Sequence, residues 1–468
     1  MPSFELLING RMVPGAATLD VINPATENLA GTCSRASAAQ LDEAVAAARA
    51  AFPQWAATPI EQRREALEKV ADVAMANAQE LGKILTSEQG KPLGDAVNEA
   101  FGFGVFTKHF AGMELPVEVI EDSDRRLVEA HRTPLGVVGA IIPWNFPLVL
   151  LGFKLAPALL AGNTLVVKPA PTTPLATLRL AELIKDVLPA GVLNVVADAN
   201  DLGSRISAHP DIRKISFTGS TATGAKVMAG AASTIKRITL EMGGNDAGLV
   251  LPDADPKEIA PKLFDAAFGN NGQICIALKR LYVHEDIYDS LCTELAEIAN
   301  SKKVGDGSQE GTELGPLQNK AQYEKVKTIL ADAAEKGTII AGGNAKGGPG
   351  YFIEPTIVRD IEEGARLVDE EQFGPALPVI KYADPEDALT RINRCPEGLG
   401  GSVWARDVDA ARALAARMEA GTIWVNKHGE LDPGIPFGGA KQSGFGTELG
   451  RAGLDEFTQR KVINIARG

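Results

Sequence analysis

Apolar positions change their spacing along the chain. Between residues 37 and 81 they recur at helical intervals, and from residue 135 short apolar runs alternate with helical stretches. Ser37 and Gln40 form a capping box ahead of Leu41–Phe52. Thr58 and Glu61 form another, with Pro59 at the first helical position. The run Arg63–Leu81 sets Ala66, Leu67, Val70, Val73 and Ala74 on one face, so the early region is predicted to be helical.

Leu135–Ile142, Thr164–Val167, Val192–Val196, Lys214–Phe217 and Arg237–Leu240 read as strands. Helical stretches separate them: Leu148–Leu160, Leu175–Val187, Asp201–Ser207 and Ala222–Ala231. Such alternation predicts an α/β fold of parallel βαβ units in a doubly wound sheet. It resumes after Glu241 with a strand at Ala247–Leu251 and a helix that Asp255 and Glu258 cap at Pro256. Strands at Leu281–Val283 and Ile423–Val425 follow, with helices Ile287–Asn300 and Gln322–Glu335 between them. A domain change is therefore expected close to Glu241. Alternating charged and apolar residues over Leu115–Glu129 predict a hairpin.

At 468 residues the chain exceeds one typical core, which suggests two or more domains. A net charge of −13, with no basic run, argues against nucleic acid as a partner. Cys33, Cys275, Cys292 and Cys395 are too widely spaced for a disulfide framework, which points to a reducing, cytoplasmic compartment. The histidines are scattered singly, so no metal site is expected. Met1–Glu5 has neither the basic nor the apolar region of a signal peptide. Thr133–Phe153 is uncharged but holds Pro134, Pro143, Asn145 and Pro147, which fits a buried strand, loop and helix better than a membrane span.

Two segments carry nucleophile chemistry. Cys275 lies in Phe268-Gly-Asn-Asn-Gly-Gln-Ile-Cys-Ile-Ala277, a helix end followed by a turn. Glu241 lies in Leu240-Glu-Met-Gly-Gly-Asn-Asp246. A thiol and a carboxylate together make a nucleophile and a base. A lone cysteine is more often an inert core residue, and Cys33, Cys292 and Cys395 are read that way.

Other residues suit a ligand, each with a plainer alternative. Phe217-Thr218-Gly219-Ser220 is a strand end and glycine turn before a helix, where a pyrophosphate can dock or where nothing docks. It fits neither the G-x-G-x-x-G fingerprint nor a Walker A loop. Lys168 ends a β-type run, as a ligand contact or a solvated lysine. Asn145, between Trp144 and Phe146, either satisfies a loop backbone or donates to a ligand. Glu371 alone is only a surface acid.

Taken together these segments resemble the NAD(P)-dependent aldehyde dehydrogenase superfamily over essentially the whole chain. The resemblance rests on Pro143-Trp-Asn-Phe-Pro147, Lys168-Pro-Ala170, Phe217-Thr-Gly-Ser220 with Gly224, the Glu241 and Cys275 segments, Glu370-Glu-Gln-Phe-Gly-Pro375, and Pro436-Phe-Gly-Gly439 with Lys441-Gln-Ser-Gly444, in the family's order. It implies that Cys275 attacks an aldehyde, that Asn145 with the Cys275 N–H holds the oxyanion, and that hydride loss to NAD(P) leaves a thioester. Glu241 is implied as the base for hydrolytic water, and Glu448 as a proton relay. The implied cofactor contacts are Ile142, Pro143, Trp144, Lys168, Phe217, Thr218, Gly219, Ser220, Gly224, Met242, Gly243, Glu371 and Phe373. NAD is expected, with NADP possible.

The resemblance also implies a dinucleotide-binding domain (1–114 and 130–241), a catalytic domain (242–435) and a small β element (115–129 and 447–468) for assembly as a homodimer or homotetramer. Members that acylate coenzyme A typically lack the glutamate, so Glu241 favours water as acceptor. Met242 departs from the family's usual leucine with little change of volume. Pro171 stands where many NAD-preferring members carry a glutamate, which leaves cofactor choice open. Ile274 and Ile276 suggest an apolar vestibule for aliphatic or aromatic aldehydes. A cysteine hydrolase is the competing reading, but such enzymes usually pair Cys with His.

Overall fold

The computed structural model describes residues 4–467. Residues 1–3, on which most of the signal-peptide reading rests, and residue 468, the end of the expected assembly element, lie outside that range.

Five parallel strands form the centre of the first sheet. In spatial order they are Leu193–Val195, Thr164–Lys168, Val137–Ile141, Ile212–Thr218 and Arg237–Glu241. Val137–Ile141, Thr164–Lys168 and Leu193–Val195 are short and buried throughout, as strands covered on both faces must be. From Val137–Ile141 the chain winds outward through Thr164–Lys168 to Leu193–Val195, then returns to add Ile212–Thr218 on the other side. Antiparallel strands close both edges: Leu6–Ile8 with Arg11–Val13 at one, Gly444–Phe445 at the other.

A second sheet runs Thr338–Ala341, Thr356–Arg359, Ala376–Tyr382, Arg280–His284, Ala247–Val250, Gly400–Trp404, Thr422–Val425, parallel except at its first pair. A third, antiparallel, joins Glu118–Asp122 to Arg126–Pro134 and that strand to Thr458–Ala466. The α/β fold class read from the sequence is borne out.

Local readings differ in three places. Among the described residues, four strands (Leu6–Ile8, Arg11–Val13, Ala17–Ile22, Leu29–Arg35) precede the first helix, so the early region is not purely helical. Two of them carry little apolar pattern: Arg11–Val13 is only three residues long, and Ala17–Ile22 is largely solvent-facing. The run Arg63–Leu81 breaks at Asn77, whose amide donates to Val73 O and which separates Ile60–Ala76 from Ala78–Gln89. Thr58 does not cap the second of the predicted early helices: its hydroxyl donates back to Gln54 O. The Ser37–Gln40 capping box is formed.

The uncharged Thr133–Phe153 segment folds as strand, loop and helix, the helix spanning Pro147–Leu160. Among the described residues, no helix is long and apolar enough to cross a membrane. The predicted hairpin forms, but its second strand runs on to Pro134.

Candidate active site

Open α/β sheets bind ligands where neighbouring strands send the chain to opposite sides, because their carboxyl ends diverge and leave a crevice. Here the crevice lies between Val137–Ile141 and Ile212–Thr218. Ile142, Pro143 and Trp144 leave the first strand, and Thr218, Gly219 and Ser220 leave the second. With Phe217 and Lys168 they line a cavity of about 490 Å³. Ser220 caps the helix Thr221–Ala232, its hydroxyl accepting from Thr223 N, so the positive end of that helix lies beside the turn.

Lys168 is not a solvated strand end. It is 4% exposed, and its Nζ donates to Asp198 Oδ1 at 2.8 Å and to Pro169 O at 3.1 Å. One of its three N–H donors is left for a ligand. A helix N-terminus, a spare buried ammonium donor and a glycine turn beside an elongated cavity suit a dinucleotide.

A second cavity of about 180 Å³ shares Pro143, Trp144, Thr218, Gly219 and Ser220 with the first. It continues to Asn145, Met242, Gly243, Cys275, Glu371 and Phe373. The Trp144 and Phe373 rings meet edge-on, centroids 5.3 Å apart. Phe373 is held in the left-handed region at φ 49°, a costly conformation for an aromatic residue. Glu371 is no free surface acid: its Oε1 accepts from Gly244 N at 3.1 Å. A Cβ at Gly243 would lie 2.1 Å from Glu371 Oε2, so only glycine lets this carboxylate lie against the backbone.

Cys275 follows the helix Pro256–Phe268 and a tight turn in which Asn270 and Asn271 are both left-handed. Gln273 fixes the turn, donating to Asn270 O at 2.9 Å and accepting from Gln318 N at 2.8 Å. Asn145 Nδ2 donates to Gln273 O at 3.1 Å, which spends one of its two amide protons. The Asn145 backbone carbonyl accepts from the buried Lys91 at 2.8 Å, and Lys91 pairs with Glu99 at 2.5 Å. Burial pushes the Cys275 thiol up to about 12; Lys279 opposes this, while Asp246, Glu371 and Glu241 add to it.

Glu241 ends its strand in register with Thr218. It is buried, and neither carboxylate oxygen has a hydrogen-bond partner among the described residues. Burial holds its carboxyl well above the usual range, Glu448 raises it further, and Lys154 opposes both. Glu448 is ion-paired with Lys154, which also donates to Thr218 Oγ1 at 2.7 Å.

Neither Glu241, Glu448 nor Gly224 lines either cavity. Gly224 packs under Met242, where a Cβ would lie 2.1 Å from its sulfur. The other expected site residues all converge on the crevice.

Sequence reasoning missed Lys154, Lys279, Lys91 and Asp198. Lys154 had a signal, as the single charge within Leu148–Leu160. Lys279 had only a basic residue ahead of a buried strand.

The model of the aldehyde dehydrogenase family matches residues 12–463. The mitochondrial aldehyde dehydrogenase of Leishmania tarentolae is 41% identical over 99% of this chain and 95% of its own. Among solved structures, the NAD-dependent aldehyde dehydrogenase of Sinorhizobium meliloti superposes at TM-score 0.96, is 33% identical, and covers 100% of this chain and 95% of that one. PnpE, known from Pseudomonas sp. WBC-3, superposes in its complex with nicotinamide adenine dinucleotide at TM-score 0.96, with 36% identity over 98% of this chain and 97% of that one. The chain belongs to the aldehyde dehydrogenase family and is an oxidoreductase that oxidises aldehydes with NAD(P).

Proposed function

We propose that this chain converts an aldehyde to a free carboxylic acid through a thioester on Cys275 that water hydrolyses. One observation carries the reading: the thiol, the Asn145 amide and the Trp144, Glu371 and Phe373 cluster line one cavity.

Ionised Cys275 Sγ attacks the carbonyl carbon, and the second N–H of Asn145 with the Cys275 backbone N–H receives the oxyanion. NAD(P), held in the crevice by the residues that line it, would supply the hydride acceptor that leaves a thioester on Cys275. Glu241 takes a proton from water, whose oxygen adds to the thioester carbon; collapse expels the Cys275 thiolate and releases the acid. A carboxyl moved up by burial is a stronger base than an ordinary glutamate. Glu448, with Lys154, is the proposed relay for that proton.

For the cofactor, Ile142, Pro143, Trp144, Phe217, Thr218, Gly219 and Ser220 form the walls, and Lys168 serves the adenosine ribose. Glu371 would hold the nicotinamide ribose, and Phe373 with Trp144 would confine the ring. Gly224, Met242 and Gly243 keep the floor close-packed. Pro171 neither accepts from a ribose hydroxyl nor repels a phosphate, which supports use of NAD with NADP accepted.

Glu241 favours water over coenzyme A as acceptor. A hydrolase is disfavoured because His428, beside the thiol loop, bonds Ile276 O and Ser402 Oγ through its two ring nitrogens.

We assign residues 1–114 and 130–241 to the dinucleotide-binding domain and 242–435 to the catalytic domain. Residues 115–129 and 447–468 form the assembly element of a cytoplasmic homodimer or homotetramer. Exposed Val119, Ile120, Val462, Ile463 and Ile465 on the antiparallel sheet support that role. NADH production across an aldehyde panel with both cofactors tests the activity; ester cleavage without cofactor and no NADH would favour the hydrolase.

A further inference from the structure

Lys279 joins the thiol loop to the loop that carries Glu371. Its side chain is 1% exposed. The Nζ donates to Cys275 O at 2.6 Å and Ile274 O at 2.9 Å, and lies 3.5 Å from Glu371 Oε1. A longer contact reaches Ala277 O at 3.5 Å, so the ammonium is bound by the carbonyls of its own loop and ion-paired with Glu371.

We propose that Lys279 is a positioning residue for the nucleophile: one buried ammonium that holds the Cys275 loop by its carbonyls, tethers Glu371, and supplies the positive charge against which the thiolate forms. This rests on reading Cys275 as the nucleophile.

The charged groups facing Cys275 are Lys279, Asp246, Glu371 and Glu241, one cation against three acids. Two further groups flank this set. His428 is held neutral by burial, and Lys325 donates to Glu371 O at 2.6 Å rather than to the thiol loop. With so little water around it, the Lys279 charge is weakly screened. A thiol in an acid-lined, buried setting ionises poorly unless such a cation is near. Lys279 bonds the carbonyl of the same residue that carries the thiol, so the loop itself keeps the ammonium beside the nucleophilic residue.

The test is alkylation of Cys275 by iodoacetamide across pH in the cofactor-free enzyme, read by peptide mass. Lys279→Met is expected to slow alkylation about tenfold at a pH below the midpoint, because losing an opposite charge moves the midpoint up by roughly one unit or more. Lys279→Arg, which keeps the charge, is expected to stay much closer to wild type. Glu371→Gln is expected to shift the midpoint the other way, since it removes an acid and frees the Lys279 charge. An unchanged profile in Lys279→Met, or shifts of the same sign in Lys279→Met and Glu371→Gln, would overturn the proposal. Should Lys279→Met fail to fold, Lys279→Gln takes its place, keeping donors for the carbonyls without the charge: the same upward shift is expected, and an unchanged profile rejects the proposal. Alkylation needs no turnover, so failure here is distinct from failure of the catalytic reading.

Discussion

Lys154 and Glu448, 294 residues apart in the chain, meet as an ion pair with almost no solvent at either side chain. Lys154 projects from a helix that is otherwise apolar and also donates to the Thr218 hydroxyl. Thr218 is the register partner of Glu241. The pair thus sits behind the proposed base, and both members act on its ionisation. Removing one member strands the other's charge, which in buried pairs costs about 3–5 kcal/mol.

The pair gives a pH prediction with a definite sign. Glu241 acts as a base only when ionised, so turnover should fall as pH drops through its raised pKa. The acidic limb of kcat should therefore lie above the ordinary glutamate value of about 4.3. Glu448→Gln removes a negative neighbour and frees the Lys154 charge; both favour the ionised form, so the limb should move down. Lys154→Met should move it up, by roughly one unit. Shifts of the same sign in both variants would separate the pair from Glu241.

Cys275→Ala should abolish aldehyde oxidation and leave dinucleotide binding nearly intact, because the cofactor walls lie on other segments. Titration of NAD against the variant, beside an NADH-production assay, checks both halves. Substantial residual turnover would remove Cys275 from the mechanism.

Asn145→Ala should lower kcat by roughly 10²–10³, the usual effect of losing one oxyanion donor. The Cys275 N–H remains, so activity should persist. Asn145 also braces the thiol turn through Gln273 O, so alkylation of Cys275 in the variant tells loop disturbance from oxyanion loss. A fall of less than about threefold, far below that range, would make Asn145 a loop-structuring residue only.

Pro171→Glu should sharpen the preference for NAD over NADP by repelling the 2′-phosphate. Kinetics with each cofactor, wild type beside variant, measure it. An unchanged ratio would mean that this loop does not approach the ribose.

Much of this architecture was legible because buried parallel strands are short apolar runs and their connecting helices carry a different period. Val137–Ile141 and Thr164–Val167 announce themselves in that way. The N-terminal strands did not: Arg11–Val13 is three residues long and Ala17–Ile22 turns only Leu19 and Val21 to the core, too few apolar positions to set a period. In the site, residues on glycine-bracketed turns such as Gly219 and Cys275 were visible from their neighbours. Lys279 and Asp198 were not. A single buried charge leaves no motif, and its partner lies far along the chain: Lys168 meets Asp198 only through the sheet, and Lys279 meets Glu371 only between loops. The break at Asn77 was hidden because the apolar face carries on past it, from Ala74 to Ala78 and Leu81.

The proposed reaction turns on a thioester on Cys275 that Glu241 helps water to cleave. Glu241→Gln cannot take the proton from water, so acylation should outrun hydrolysis and the intermediate should accumulate. The decisive measurement is peptide mapping by mass of Glu241→Gln after rapid acid quench from aldehyde and NAD. The account predicts an acyl adduct on the Cys275 peptide, equal to the aldehyde less two hydrogens, that forms only with NAD present and is absent from Cys275→Ala. Turnover at the wild-type rate with no adduct, or an adduct on another residue, would contradict it.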